Sequence, residues 1–284
     1  MPGSGARWHI GSRRRRKAER MAGVPDRLTA AVSDPAVELV SLDVFDTLLL
    51  RDTEPELARF GGIARVQDAA LRRAGFPSPG PGPLYRARLQ VHKQAYDAAA
   101  ATGGEARHDD ILRRLCRHCA LDEALVPELV RAEVAYEAGR LVANRPLLAW
   151  LGRLAPRLRL VLVSDMYLAT ADLRHLLAAV TPELSALPLY VSAELQRTKR
   201  QGGLFPFLAA AERVAPTAIL HIGDHPLADV VQPVRAGYRA VHLPRSLPWR
   251  VLHRLRERLV RRRLKRLGWL HDSEPPPFLG RLTG

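Results

Sequence analysis

The sequence predicts a doubly wound α/β fold, with a parallel sheet at its core and a helical cap domain inserted after the first strand. Five nearly continuous apolar segments of strand length recur along the chain, as in a parallel sheet that is covered on both faces. A long interval with only helical patterns separates the first segment from the other four. Helical patterns also connect the later segments, and such alternation indicates a parallel sheet.

The predicted strands are short and rich in aliphatic residues. They cover residues 37–42, 158–163, 188–192, 217–222 and 239–243. The helical patterns between the last four strands, each short enough to be a crossover helix, cover approximately 170–181, 204–214 and 226–236. The core is therefore predicted to consist of residues 37–53 and 146–246.

The interval from residue 54 to residue 145 contains no convincing strand pattern and is predicted to be the cap. Turn-forming clusters such as PSPGPGP and TGGE divide it into segments. The helical patterns in it cover approximately 54–75, 84–101, 108–119 and 126–142. An all-helical block inserted after one strand favours a separate domain.

Most of the net charge of +15 belongs to the two ends of the chain, which are interpreted as appendages of the core. Residues 1–36 carry +5 and lack apolar periodicity, which predicts a basic, disordered arm. Residues 247–284 carry +7 and are predicted to form a basic amphipathic helix and a tail. The apolar residues of this helix at near-helical spacing are Val251, Leu252, Leu255, Leu259, Leu264 and Leu267.

The basic ends favour two kinds of partner and disfavour a third. A basic amphipathic helix can bind an anionic membrane surface or an acidic protein partner, or it can pack on its own domain and expose a solvated basic face. Nucleic acid is not favoured, because the body of the chain is close to neutral and the basic ends lack interleaved aromatic residues and a recognisable reading motif.

Three features bear on the compartment. The sequence has no apolar run of membrane-spanning length, and its N-terminus lacks the apolar segment of a secretory signal. The two cysteines, Cys116 and Cys119, have no second pair that would complete a tetrahedral zinc site, so they are interpreted as helix-face thiols in a reducing compartment. The protein is expected in the cytoplasm, either free or attached peripherally to the inner membrane surface.

Polar side chains follow three predicted strands, at the edge where an open α/β sheet binds its ligands. The first strand ends at Asp43, the second at Ser164 and the fourth at Asp224, with Asp229 five residues further on. Lys199 precedes the helix that leads into the fourth strand. A carboxylate nucleophile, a hydroxyl, an ammonium group and a further acidic pair are what phosphoryl transfer through an aspartyl intermediate requires.

Each of these residues has a predicted role. Asp43 would attack phosphorus, and Mg²⁺ held by Asp43 and Asp224 would offset the repulsion between the anionic nucleophile and an anionic substrate. Ser164 would donate a hydrogen bond to a phosphoryl oxygen, and Lys199 would screen the charge gathered there. Asp229 would bind the metal through water or orient the lysine.

The four motifs, in this order, resemble those of the haloacid dehalogenase-like (HAD) hydrolase superfamily. DVFDT is similar to the first motif, Ser164 to the second, Lys199 to the third and GDHPLAD to the fourth. The stretches FDTLLLR, VSDMYL, KRQGGLF and ILHIGDHPLAD further resemble a bacterial subgroup of predicted hydrolases that often occurs near, or fused to, glycosyltransferases of surface polysaccharide synthesis. The resemblance covers residues 37 to about 245 and excludes the basic tails.

The resemblance implies a Rossmann-like core, a Mg²⁺ cofactor and a cap that enters after the first motif. The long spacing lies between Thr47 and Ser164, whereas only a helix and a strand fit between Ser164 and Lys199. Such a cap is expected to close over the site, exclude water and choose the substrate. The implied metal positions are Asp43, Phe45, Asp224 and Asp229, and the implied substrate-binding residues are Thr47, Ser164, Asp165 and Lys199.

The first motif departs from the pattern of the superfamily's phosphatases, which carry a second aspartate, a general acid and base, two residues after the nucleophile. This sequence has Phe45 there, and loss of a positioned acid or base typically costs about 10²- to 10⁴-fold in rate. Asp46 could supply the missing carboxylate if the turn shifted, or it could be a turn or capping residue. An aromatic residue at this position also resembles the metal-free dehalogenase branch, whereas the retained Asp224 and Asp229 favour a phosphorylated substrate.

The sequence therefore predicts a Mg²⁺-dependent hydrolase, either a phosphatase or a phosphotransferase. It would act through an aspartyl phosphate on a small phosphorylated metabolite such as a sugar phosphate, with Asp43, Lys199 and Asp46 as the catalytic residues. One alternative is a weakly active or inactive module that docks in a polysaccharide or glycosyltransferase system. The other is a metal-free, dehalogenase-like hydrolase.

Overall fold

The structure, a computed structural model, describes residues 26–154 and 158–270. Its strands are β1 (Leu39–Asp43), β2 (Leu49–Arg51), β3 (Leu141–Ala143), β4 (Arg159–Ser164), β5 (Leu189–Val191), β6 (Ile219–Gly223) and β7 (Arg239–His242). Five of them form one parallel sheet in the order β5-β4-β1-β6-β7. This sheet confirms the predicted α/β class, and the ends of its strands lie within two residues of the predicted ones.

Helices surround the sheet and form the insert. They are α1 (Asp26–Val32), α2 (Glu56–Arg73), α3 (Pro81–Ala101), α4 (His108–His118), α5 (Val126–Ala138), α6 (Arg145–Leu154), α7 (Thr170–Val180), α8 (Ser192–Leu195), α9 (Leu204–Glu212), α10 (Gln232–Arg235) and α11 (Leu247–Arg266). A π-helical turn, Pro226–Val231, leads into α10 where one longer helix was predicted. None of the helices in the described part of the chain has both the length and the apolar character that crossing a membrane requires.

Strand β1 lies at the centre of the sheet, and all five of its residues are buried. Successive side chains of a strand point to opposite faces. Leu39 packs with Phe205 of α9 on one face, whereas Leu42 packs in the cluster that includes Leu173 of α7 on the other. The sheet is therefore covered on both faces, which explains why its strands read as continuous apolar segments.

The insert consists of the four helices α2 to α5, and two predictions about its end are wrong. A helix was predicted over residues 126–142 with no strand, but α5 ends at Ala138 and β3 pairs antiparallel with β2. Strands of three residues are too short to show an alternating pattern, and this pairing forms only when the two ends of the insert meet. The chain thus enters and leaves the insert through one small two-stranded sheet.

The structure corrects part of the predicted N-terminal arm. Residues 1–36 were expected to be disordered, but Asp26–Val32 forms helix α1, while residues 1–25 lie outside the described part of the chain. Leu28 is fully buried, and Arg27 Nη2 donates to the carbonyl oxygen of His242 at 2.6 Å. A seven-residue helix with one buried side chain shows no apolar periodicity in the sequence. The formation of α1 therefore depends on its tertiary contacts.

Helix α11 belongs to the folded body and is not an appendage. The Trp249 indole donates to the carbonyl oxygen of Arg51 at 3.3 Å, which ties the start of the helix to the strand after β1. Leu264 is buried, and Trp269, just beyond the helix, packs against Tyr85 of α3 with 5.5 Å between ring centroids.

Only part of the predicted apolar face of α11 is buried, namely Leu264 and, in part, Leu252. Aromatic and imidazole groups pack inward near its start, whereas a row of aliphatic residues remains in contact with solvent. The exposed members of the predicted apolar face are Val251, Leu255, Leu259 and Leu267.

Candidate active site

The strand order brings the predicted site residues to one edge of the sheet. Strand β1 lies between β4 and β6, so Asp43 at its end is adjacent to Ser164 at the end of β4 and to Asp224 just after β6. Carboxyl ends of parallel strands share one edge, which explains why residues far apart in sequence meet here.

Lys199 joins two of the predicted carboxylates. Its ammonium nitrogen lies 2.5 Å from Asp43 Oδ1 and 2.6 Å from Asp229 Oδ1, and its side chain is almost fully buried. Burial disfavours the ammonium ion, but the two carboxylates outweigh that effect and raise the pKa of Lys199 above its ordinary value. Lys199 is therefore positively charged at the centre of this site.

A third carboxylate completes a cluster that could hold a metal ion. Oxygen atoms of Asp43, Asp224 and Asp229 lie within 4.8 Å of one another. Lys199 supplies one positive charge against three carboxylates, so the fully ionised group would carry a net charge of −2. Buried charge of this size requires a compensating cation or protons.

The pKa values show the same imbalance. Burial raises the pKa of Asp43 to about 7, although Lys199 opposes the shift. Burial and the neighbouring carboxylates of Asp43 and Asp46 raise the pKa of Asp224 well above its ordinary value. Burial also acts on Asp229, but Lys199 and a hydrogen bond with His221 outweigh it, so the pKa of Asp229 is lowered. The raised pKa values of Asp43 and Asp224 thus indicate that these two carboxyl groups have too little positive charge beside them, and a divalent cation would supply that charge.

The donor atoms at this edge fit Mg²⁺. Asp43 Oδ2 is buried and receives no hydrogen bond from any residue that the structure describes, so an oxygen donor remains available. Carboxylate oxygens are the ligands that a hard divalent cation prefers. A phenyl ring offers no donor, so Phe45 could contribute to such a site only through its main-chain carbonyl oxygen.

Gly223 and His221 place Asp229. A Cβ atom on Gly223 would overlap the Asp229 carboxylate, so only glycine lets the two segments approach. His221, fully buried in β6, lies 3.1 Å from Asp229 Oδ1 through Nε2 and 2.8 Å from Ser41 Oγ through Nδ1. Sequence analysis missed His221, although a polar residue within the apolar strand ILHIG was a visible indication.

Asp165 holds the loop that carries Lys199. Its carboxylate oxygens accept hydrogen bonds from the main-chain nitrogens of Lys199 at 2.7 Å and Arg200 at 3.0 Å. Asp165 also lines the cavity described below. The structure therefore gives this predicted substrate-binding residue a positioning contact.

Ser164 and Thr47 are both buried beside the cluster. Ser164 is the last residue of β4 and pairs in register with Val191 of β5. Thr47 follows Asp46 in the turn after β1, and its carbonyl oxygen accepts a hydrogen bond from Asn144 Nδ2 at 2.8 Å. Ser164 thus lies at the end of a core strand, and Thr47 lies in the turn that follows β1.

Asp46 does not join the carboxylate cluster, which argues against its predicted catalytic role. It lies in the left-handed region with φ of 59°. Arg245 Nη1 contacts Oδ1 at 2.6 Å, and Arg51 Nη1 contacts Oδ2 at 3.3 Å. Burial raises the pKa of Asp46, but these two guanidinium groups outweigh it and lower the pKa below its ordinary value. A carboxylate held ionised on both oxygens is a poor proton donor, so the structure favours the turn-residue alternative for Asp46 over the catalytic one, although Asp46 also lines the cavity described below.

Arg245 and Trp249 extend this ion-pair cluster to the C-terminal helix. The Arg245 guanidinium lies 4.3 Å from the Trp249 ring centroid and donates through Nη2 to the carbonyl oxygen of Arg51 at 3.0 Å. The Arg51 guanidinium in turn lies 4.2 Å from the centre of the Phe45 ring. The turn after the candidate nucleophile Asp43 is thus held in place by Arg245, which precedes α11, and by Trp249 in the first turn of α11.

A cavity of about 260 Å³ lies beside the cluster, between the core and the insert. The core contributes Phe45 and Asp224, helix α2 contributes Arg59, α3 contributes His92, and α11 contributes Trp249 and His253. The sequence did not predict Arg59, His92, Trp249 or His253 as site residues. Only the packing of the insert and of α11 against the core brings these four side chains to the cavity.

A buried charge network underlies the insert side of this cavity. Arg88 pairs with both Glu133 oxygens at 2.6 and 2.8 Å, and the Tyr167 hydroxyl donates to Glu133 Oε1 at 2.9 Å. His108 Nε2 lies 3.0 Å from Glu133 Oε2. Because Tyr167 follows β4, this network fastens the core motif SDMYL to helices α3, α4 and α5. Helical periodicity gave no indication of it.

Comparison with known proteins identifies the fold. No protein-family model matches the sequence, and no curated protein matches it. A 2-haloacid dehalogenase from Pseudomonas syringae aligns with a TM-score of 0.52 and 19% identity, over 72% of this chain and 86% of that chain. A HAD-family enzyme from Bacteroides thetaiotaomicron aligns with a TM-score of 0.50 and 12% identity, over 76% of this chain and 98% of that chain. The protein thus has the fold of the HAD hydrolases, a Rossmann-like sheet with a helical insert.

Proposed function

We propose that this protein is a Mg²⁺-dependent hydrolase of the HAD type, which removes or transfers the phosphoryl group of a small phosphorylated metabolite. The observation that carries the proposal is the cluster of three carboxylates at the edge of the sheet, with Lys199 bound to two of them. Asp224, one member of the cluster, lines a cavity of about 260 Å³, which is at the small end of the range of ligand pockets and admits only a small ligand.

Asp43 is the nucleophile in this proposal. One of its carboxylate oxygens bonds to phosphorus while the bond from phosphorus to the leaving oxygen breaks, and the departing oxygen takes a proton from water. Water then attacks phosphorus, the bond to Asp43 breaks, and the carboxylate is regenerated with inorganic phosphate. Lys199 stabilises the negative charge that gathers around Asp43 during both steps.

Asp43, Asp224 and Asp229 would hold the Mg²⁺, together with the main-chain carbonyl oxygen of Phe45. The bound ion would supply positive charge between the anionic carboxylate and the anionic phosphoryl group. His221 and Gly223 fix the orientation of Asp229, and Asp165 fixes the loop of Lys199, so the protein side of this arrangement is formed in advance.

The position of Phe45 restricts the substrates that we propose. No carboxylic acid stands there to protonate the leaving group, and Asp46 is ion-paired with Arg245. Substrates whose leaving group departs without protonation are therefore favoured. Among sugar phosphates these are anomeric phosphates, because a hemiacetal oxygen is more acidic than an ordinary alcohol oxygen.

The test is release of inorganic phosphate from a panel of sugar phosphates and an aryl phosphate, with and without Mg²⁺. We expect Mg²⁺-dependent turnover that falls at least about 10³-fold in Asp43→Asn, because the nucleophile is lost. Asp46→Asn is the matched comparison, since it removes a carboxylate three residues away that lines the cavity but lies outside the cluster. We expect it to retain far more activity per folded molecule than Asp43→Asn does, and to lose about 2 kcal/mol or more of unfolding free energy because the buried Arg245 guanidinium loses its carboxylate partner.

Three results would refute the proposal in different ways. Equal activity of Asp43→Asn and the wild type would exclude the aspartyl mechanism. Mg²⁺ binding without turnover of any substrate would favour the inactive docking module. Metal-independent halide release from a 2-haloacid would favour the dehalogenase alternative.

We also propose that the protein belongs to the bacterial HAD subgroup associated with glycosyltransferases and that it is located in the cytoplasm. FDTLLLR and SDMYL support the bacterial subgroup associated with glycosyltransferases, and this support comes from sequence alone. The free thiols of Cys116 and Cys119 support a cytoplasmic location.

A further inference from the structure

Helix α11 exposes a row of large apolar side chains. Leu247, Val251, Leu255 and Leu259, here called the apolar row, have exposed fractions of 65%, 50%, 51% and 63%. Residues four apart lie one above the other on a helix, so the row forms a continuous stripe about four turns long. Contiguous exposed apolar surface on a folded protein usually marks an interaction site.

Arginines run beside this stripe. Arg250, Arg254, Arg258 and Arg262, here called the basic row, are all exposed and follow the same four-residue spacing. On the other flank, Arg263 and Arg266 are exposed as well. In total, α11 contains nine lysines and arginines and one acidic residue, Glu257.

The inward face of α11 is chemically different from this outward face. Trp249, His253 and Leu264 lie on the opposite side of the helix, where Leu264 is buried and the other two line the cavity. The apolar row is therefore not used to pack the helix onto the body.

We propose that the outward face of α11 docks on anionic membranes, with the apolar row inserted at the level of the upper acyl chains and the flanking arginines on lipid phosphates. A helix lies in the membrane interface when an apolar face is bordered by basic side chains, and both features occur here. An acidic protein surface would pair the arginines but would leave the apolar row in water. The lipid interface satisfies both groups, because long arginine side chains reach headgroups from beside an inserted stripe.

Docking and hydrolysis use different faces of the same helix. The apolar row points away from the cavity, so changes in it should leave turnover of a free phosphorylated substrate unchanged. Failure of the docking proposal would therefore leave the proposed function intact, and loss of hydrolysis in Asp43→Asn would leave docking intact.

The test is co-sedimentation of the full chain with vesicles of phosphatidylcholine alone or mixed with phosphatidylglycerol. One variant replaces three members of the apolar row and another replaces three of the basic row, each time with glutamine. A third changes Val234 of α10, which is equally exposed and lies outside the docking face. The substitutions are Val251→Gln, Leu255→Gln and Leu259→Gln in the first, Arg254→Gln, Arg258→Gln and Arg262→Gln in the second, and Val234→Gln in the third.

We expect binding to the anionic vesicles only. The basic-row variant should lose about 100-fold in partitioning, at roughly fivefold per charge. The apolar-row variant, which keeps every charge, should lose more than about 10-fold. Val234→Gln should bind like the wild type.

Two results would overturn the proposal. If the apolar-row variant bound as well as the wild type, and polyglutamate competed with the vesicles for both, the face would be an electrostatic site for acidic polypeptides. If the wild type did not bind vesicles but sedimented as a dimer that the apolar-row substitutions dissociate, the occupant would be a second copy of this chain.

Discussion

Phe45 is the residue whose identity most affects the chemistry. Its ring is buried under the Arg51 guanidinium, and it occupies a position where the resemblance predicts a general acid and base. Asp43, the proposed nucleophile, is paired with Lys199 and belongs to the cluster of three carboxylates. Under the proposed function, Asp43 would form an aspartyl phosphate, and no side chain at position 45 would assist a poor leaving group.

Phe45→Asp should raise turnover of alkyl phosphates by at least about 10-fold, within the 10²- to 10⁴-fold range that a positioned acid can supply. The gain should be smaller for an aryl phosphate, whose leaving group needs no proton. Comparison of kcat/KM for the two substrates measures the difference. Phe45→Asn is the control, because it has a similar side chain without an acid, and equal gains in both variants would contradict the explanation.

For individual residues, the sequence predicted which side chains lie together better than it predicted what each of them does. Asp43, Lys199, Asp224 and Asp229 meet because strand ends and motif order are visible in the sequence. The sequence left Asp46 open between a catalytic residue and a turn residue, because its pairing with Arg245 joins residues that are far apart in the sequence.

The loop between α3 and α4 joins the insert to the core through Glu105. Ser192 Oγ of α8 donates to Glu105 Oε2 at 3.1 Å, and Gln196 Nε2 donates to its carbonyl oxygen at 3.2 Å. Burial, with the nearby Asp165, raises the pKa of Glu105 from its ordinary 4.5 to about 7. The folded protein therefore holds this proton more tightly than the unfolded chain does.

Glu105→Gln should stabilise the protein, and the effect should depend on pH. Below about pH 4.5 both states are protonated at Glu105 and the penalty is absent, whereas between 4.5 and about 7 the unfolded chain ionises first and wild-type stability falls. The variant should gain up to about 3 kcal/mol of unfolding free energy above pH 7. Urea unfolding at pH 5 and pH 8 measures this gain, with the exposed Glu183→Gln as control. A gain that does not change with pH would contradict the assignment.

Element prediction succeeded where a pattern was long and failed where it was short. The core strands lie in continuous apolar segments, and the helices of the insert are long enough to show a helical period. Strands β2 and β3 and helix α1 do not, and their formation depends on contacts with distant segments, such as the ladder that joins Leu49 to Ala143.

In the whole molecule, α11 connects the site to the surface. Arg245 and Trp249 fix the turn after Asp43, while Leu264, Trp269 and Leu270 pack against the body. The helix therefore contributes to stability and to the cavity wall, in addition to its outward basic and apolar face.

Removal of residues 247–284 should cost about 4 kcal/mol or more of unfolding free energy, because each buried leucine alone contributes about 1.5–3 kcal/mol. Removal of residues 271–284 is the control that retains α11. Urea unfolding of both truncated chains gives the comparison, and equal midpoints would show that α11 is an appendage after all.

The sequence by itself determined the α/β class, the insertion point of the helical cap and the residues that meet at the edge of the sheet. It could do so because burial on both faces, helical period and strand-end position are local properties of a chain. Tertiary structure alone decided that Asp46 is ion-paired, that His221 orients Asp229 and that α11 packs through Trp249 and Leu264 rather than through its apolar row. Each of these depends on contacts between segments far apart in sequence, and no local pattern records them.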